Sequence, residues 1–81
     1  MDELQQARVE IDAVDKEMAR LFERRMAACR QVAQYKRERS LPILDANREA
    51  AVIERGAQRV EDPDLREYYT CFLRDVMKTS R

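Results

Sequence analysis

Residues 2–39 read DELQQARVEIDAVDKEMARLFERRMAACRQVAQYKRER, a run with neither glycine nor proline. Counted by heptads from Leu4, one set of seats holds Leu4, Ile11, Met18, Arg25 and Val32. The other set holds Ala7, Val14, Leu21, Ala28 and Tyr35, so nine of the ten seats are apolar and the tenth is Arg25. Apolar residues at this spacing line one face of a helix, and the unbroken run predicts a single helix of roughly 35 residues, about 50 Å long. Pro42 closes it, because a residue before proline, here Leu41, is pushed out of the helical region.

Arg25 is the anomaly in that stripe. Three and four positions away stand Leu21, Phe22, Ala28 and Cys29, none of which carries a negative charge. A guanidinium brought into a core without an anion costs several kcal/mol, so Arg25 calls for an anion from outside its own helix. The chemistry of that anion is the functional question.

Beyond the first helix, Ser40 to Leu44 form a short, partly apolar connector. Asp45 is a good N-cap for a second helix, whose inward stripe is Glu49, Val52, Ile53, Ala57 and Val60. Gly56 either weakens this helix or lets another backbone approach closely. Asp62 and Pro63 cap and open a third helix, with Leu65, Tyr69, Phe72 and Val76 on one face and Ser80 in the next seat. No glycine or proline ends that helix before Arg81, which reads as a cut helix. The expectation is one all-α domain over residues 1–81, with helices at about 2–39, 46–60 and 63–81. A first helix of about 50 Å cannot bury its stripe against two helices of about 15–20 residues, so a symmetric, intertwined homodimer is expected to cover the remainder.

Composition narrows the classes further. The chain has 81 residues, 44% of them hydrophobic, with one glycine and two prolines, a profile that favours long helices over sheets or disorder. Sixteen basic residues balance sixteen acidic ones, so no global field draws the chain to nucleic acid or an anionic membrane. Two cysteines and no histidine form neither a disulfide framework nor a metal cluster, and free thiols fit a reducing cytosol. The N-terminus is polar from Asp2 onward and no apolar run approaches the roughly 18–20 residues that span a bilayer, so the expectation is a cytoplasmic protein.

Arg25 and Lys36 stand eleven residues apart. On an ideal helix that is about 20° of rotation and about 16 Å of rise, so they share a face. Lys36 also lacks an acid three or four residues away. Two such cations on one largely apolar face suit an anion pocket; the alternative is that Lys36 snorkels to solvent while Arg25 pairs with a distant acid. Arg8 lies about 25 Å before Arg25 and about 100° around the helix, so it reaches such a pocket only from an antiparallel second subunit. Its plainer role is a surface pair with Asp12. At the head of the second helix Asp45, Arg48 and Glu49 share one turn, and Glu49, heading the stripe, should point inward, where a carboxylate needs a donor. Asp45 serves as a cap, a partner for Arg48, or a ligand contact.

In this order and spacing, Arg8, Asp15, Arg25, Val32, Lys36, Pro42, Ile43, the Asp45-x-x-Arg48-Glu49 cluster and Ser80 resemble the all-helical chorismate mutases. The resemblance covers essentially the whole chain. It implies an intertwined dimer with two active sites, each drawing an arginine from the partner, and conversion of chorismate to prephenate in aromatic amino acid biosynthesis. By the family pattern Lys36, Arg25 and Glu49 are catalytic. Arg25 and Arg8 of the partner subunit clamp the carboxylates, Lys36 donates to the ether oxygen, Glu49 accepts from the ring hydroxyl, Asp45 and Arg48 line that end, and Ser80 closes the pocket. No cofactor, metal, nucleophile or proton transfer is implied. The family also places a donor one turn beyond Ser80, which would be residue 84. On that pattern the 81-residue form is expected to be weakly active or inactive, a longer chain competent, and a fused downstream catalytic domain has room to follow.

Three rivals stand beside this reading. An isochorismate-pyruvate lyase shares the fold and arginines, but such lyases tend to lack the Asp-x-x-Arg-Glu cluster. A non-catalytic regulatory or dimerisation domain would bind chorismate or prephenate as a signal. In an unrelated helical interaction protein, Arg25 would only set the helix register.

Overall fold

The computed structural model describes residues 2–81. Three α-helices, α1 (Glu3–Glu38), α2 (Ala46–Arg59) and α3 (Arg66–Thr79), follow one another, with a 3-10 turn at Pro63–Leu65 before the last. Among the described residues there is no strand, so the chain is all-α, as its periodicity predicts. Two compact units divide it, one ending at Val32 and the other running from Ala33 to Arg81.

From Glu3 onward the first unit is helix. Its start is fixed by a reciprocal cap: Asp2 Oδ1 accepts from the Gln5 main-chain N–H at 2.8 Å, and Gln5 Oε1 accepts from the Asp2 N–H at 3.2 Å. Each side chain satisfies a donor that the helix itself leaves open. No residue of α1 is buried. The apolar seats Leu4, Ile11, Val14, Met18, Leu21, Val32 and Tyr35 are each 45–58% exposed, so the stripe that dictates the helix is left largely uncovered in the single chain.

In the second unit α1 ends by its own geometry before Pro42 is reached. The Leu41 N–H donates to the Lys36 carbonyl at 2.8 Å and the Ser40 N–H to the Arg37 carbonyl at 3.3 Å, with Ser40 at φ 53°. This pair of bonds around a left-handed residue is a Schellman end, normally built on glycine. Asp45 then starts α2 from an extended conformation, its carboxylate accepting from the Arg48 N–H at 3.0 Å. The turn into α3 also opens on a cap, Asp62 Oδ1 accepting from the Asp64 N–H at 3.0 Å. Pro63 therefore begins a 3-10 turn, and α-helix proper starts only at Arg66. Arg66 in turn donates from Nε to the Val60 carbonyl at 2.8 Å, tying the end of α2 to the start of α3.

α2 and α3 pack on each other through Gly56, which is buried. A Cβ built there would lie 2.3 Å from Leu73 Cδ1, so the close approach is made by a side chain and not by another backbone. The buried side chains of α3 are Leu73 and Met77, whereas Leu65 and Phe72 remain 51% and 49% exposed. The inward face of α3 thus keeps Tyr69 and Val76 of the expected stripe, both half-buried, but adds Leu73 and Met77 in place of Leu65 and Phe72, because the gap over Gly56 accepts Leu73. Tyr69 and Phe72 stack with ring centroids 5.9 Å apart.

Candidate functional site

Five of the seven residues nominated by the sequence belong to the second unit: Lys36, Asp45, Arg48, Glu49 and Ser80. Lys36 sits in the last turn of α1 and is half-buried. Because the Schellman end turns the chain back at Ser40, the connector passes the lysine, and its Nζ donates to the Ile43 carbonyl at 3.0 Å. Among the described residues Lys36 therefore pairs with no acid, and its ammonium is tied to the connector. A cleft of about 460 Å³ opens beside it, with apolar walls from Leu41, Pro42 and Leu44 and with Asp45 on its rim. The fold so brings Lys36 and Asp45 to one concavity, a cation and a carboxylate separated by apolar surface.

Asp45 is committed first to capping. Its carboxylate holds the Arg48 main-chain N–H, and among the described residues no ion pair joins it to the Arg48 guanidinium. Helix geometry then carries Glu49 to the inner side of the same turn, where its side chain is only 26% exposed. Its donor comes from the far end of the unit. Arg81 makes a two-pronged pair with it, Nε to Oε1 at 3.1 Å and Nη2 to Oε2 at 2.8 Å. That bond, and secondarily the carboxylate's charge, raises the Arg81 pKa above its ordinary value. Ser80, half-buried at the C-cap of α3, turns its hydroxyl onto the Val76 carbonyl at 2.8 Å. The α2 N-terminus and the α3 C-terminus are thereby brought together by residues 49 and 81, a contact that the spacing of the sequence does not signal.

Arg8 and Arg25 belong to the first unit. Arg25 is half-buried, with Nη1 3.7 Å from Cys29 Sγ, one turn on. Arg8 is exposed, and among the described residues it forms no ion pair with Asp12. Both cysteines are free thiols, Cys29 half-buried and Cys71 exposed. No group of three His, Cys, Asp or Glu among the described residues is placed to hold a metal ion. No helix of the described residues is long and apolar enough to cross a membrane. Within the second unit, Lys36 supplies an ammonium donor and Glu49 a half-buried carboxylate at the head of α2. Such groups suit a molecule that carries both a hydrogen-bond acceptor and a hydrogen-bond donor.

Comparison with known proteins adds an independent finding. Residues 7–81 match the family described as chorismate mutase type II. The chain is 38% identical over 61 residues to the T-protein of Haemophilus influenzae, an overlap covering 75% of this chain and 16% of that protein. It is 32% identical over 78 residues to the 4-amino-4-deoxychorismate mutase of Streptomyces venezuelae, covering 96% of this chain and 76% of the relative. The chain thus spans a small part of one curated relative and about three quarters of the other. No solved structure matches it significantly.

Proposed function

The chain belongs to the chorismate mutase type II family, and from that membership we propose that it converts chorismate to prephenate, working as a homodimer in the cytoplasm. The observation that carries the reading is the family match over residues 7–81, which takes in every nominated residue from Arg8 to Ser80. The uncovered stripe of α1 supports the dimer, since seven large apolar seats left 45–58% exposed need a partner surface.

In the reaction one carbon–oxygen bond of the substrate breaks and one carbon–carbon bond forms within the same molecule. No proton, electron or group is exchanged with the protein. The work left to side chains is to hold a compact conformer and to meet the charge that develops as the ether bond lengthens. Arg25 and Arg8 of the partner subunit clamp the two carboxylates with planar, paired donors. Lys36 donates to the ether oxygen, where negative charge grows, so its contribution is larger in the transition state than in the ground state. Glu49 accepts from the ring hydroxyl, Asp45 and Arg48 line that end of the site, and Ser80 closes it.

A second substrate reading has one specific observation in its favour. The Streptomyces venezuelae relative is named for an amino analogue of chorismate, and a carboxylate at position 49 has the acceptor capacity to take a bond from an amino group.

The test follows chorismate loss and prephenate appearance with the purified chain, alongside thermal unfolding with and without chorismate. Weak turnover, with a rise in the unfolding midpoint on adding chorismate, is expected. Absence of both would overturn the reading. A saturable midpoint rise without turnover would point instead to a regulatory chorismate-binding domain.

A further inference from the structure

The contact between Glu49 and Arg81 changes what the site can recognise. Glu49 is the carboxylate that the proposed function places against the ring substituent of the substrate, and the inference here rests on that reading. Its two oxygens are already met by the Arg81 guanidinium, at 3.1 and 2.8 Å. The carboxylate remains half-buried at 26% exposure, whereas Arg81 is 50% exposed. Each carboxylate oxygen keeps lone-pair capacity after accepting from Arg81, so Glu49 still serves as an acceptor. What it has lost is net charge, because a cation lies against it.

We propose that Arg81 is a specificity-determining residue: by neutralising Glu49 it makes the site favour a neutral ring hydroxyl over a cationic ring ammonium. A hydroxyl needs only an acceptor. An ammonium needs an uncompensated anion and would stand close to the guanidinium, where like charges repel. Arg81 acts through Glu49 and touches no reacting atom, so it is a positioning residue.

The experiment compares chorismate with its 4-amino-4-deoxy analogue for the parent chain, Arg81→Gln and Arg81→Lys. Both the ratio of kcat/KM values and the ratio of Kd values are measured for the two ligands in one preparation. The amount of folded enzyme cancels in each ratio, so a purely structural role for Arg81 leaves them unmoved. Arg81→Gln is expected to shift both ratios toward the amino analogue by about threefold to tenfold, the span of one partly screened charge. Arg81→Lys, which keeps the cation, should restore most of the parent's preference. Ratios unchanged in Arg81→Gln, with both ligands bound, would overturn the proposal and leave the mutase reading intact. If the parent chain neither binds nor converts either ligand, the mutase reading fails and the proposal falls with it.

Discussion

Gly56 gives a prediction whose sign depends on the structure, because propensity and packing pull in opposite directions there. It is the chain's one glycine and sits inside α2. Replacing glycine by alanine in a helix interior is worth about 0.8–1 kcal/mol of stability from propensity alone. Here the added methyl would lie 2.3 Å from Leu73 Cδ1, and 3.5 Å from Tyr69 Cε2. The second contact is ordinary; the first requires Leu73 to move by more than an ångström. Leu73 is itself buried, so moving it disturbs its packing against α2. Overpacking of this kind costs typically about 1–3 kcal/mol. The net expectation for Gly56→Ala is a loss of about 1 kcal/mol, which for a domain of this size lowers Tm by about 4–8 °C. Urea denaturation at fixed protein concentration reads the change as a lower midpoint at unchanged slope. The same substitution in a Leu73→Val background, where the clashing methyl is gone, should become stabilising by about 0.5–1 kcal/mol. A gain from Gly56→Ala in the parent, or no change of sign with Leu73→Val, would refute the close approach of α3 to Gly56.

Ser40→Gly should stabilise the chain by about 0.5–1 kcal/mol in thermal melts, because Ser40 holds a left-handed backbone at φ 53° that costs a side-chain-bearing residue. Asp45→Ala should cost about 1 kcal/mol through loss of the bond to the Arg48 N–H, while Asp45→Asn keeps the cap and the melting temperature. Arg25→Met should preserve or raise stability while abolishing chorismate turnover, since it replaces a charge within an apolar stripe by a side chain of similar length; unfolding of the protein would make Arg25 a structural residue. Mixed Arg8→Ala and Arg25→Ala subunits should recover part of the activity that each lacks alone, and no recovery after confirmed subunit exchange would exclude sites shared between subunits.

The helical class was legible because it is written in period and punctuation. Ten heptad seats without a glycine or proline define α1, and Asp45 announces α2 through a cap that depends only on local chemistry. The inward direction of Glu49 was legible from its place at the head of the α2 stripe. What pairs with it was not: Arg81 is 32 residues away, and no periodicity links a helix start to a residue just past the end of another helix. Lys36 was legible as a cation without a neighbouring acid, but its acceptor is a main-chain carbonyl, which side-chain patterns cannot display. On α3 the stripe drawn through Leu65, Tyr69, Phe72 and Val76 caught the half-buried Tyr69 and Val76 but missed Leu73 and Met77. Several apolar residues crowd that helix, so the buried face is set by the hole at Gly56 and not by hydrophobicity alone.

The bond from Lys36 to the Ile43 carbonyl has a consequence for mutational tolerance. A lysine free in solution explores many rotamers, and ordering it costs up to about 1.5–2 kcal/mol of conformational entropy. Here folding imposes much of that order, and one of the three ammonium hydrogens is engaged at 3.0 Å while two remain for a ligand. The restraint is carried by the path of the backbone, so side chains in the connector are free to vary without displacing the ammonium. An insertion or deletion between Ser40 and Asp45 is different, because it shifts the carbonyl itself. The connector should therefore accept substitutions and resist changes of length.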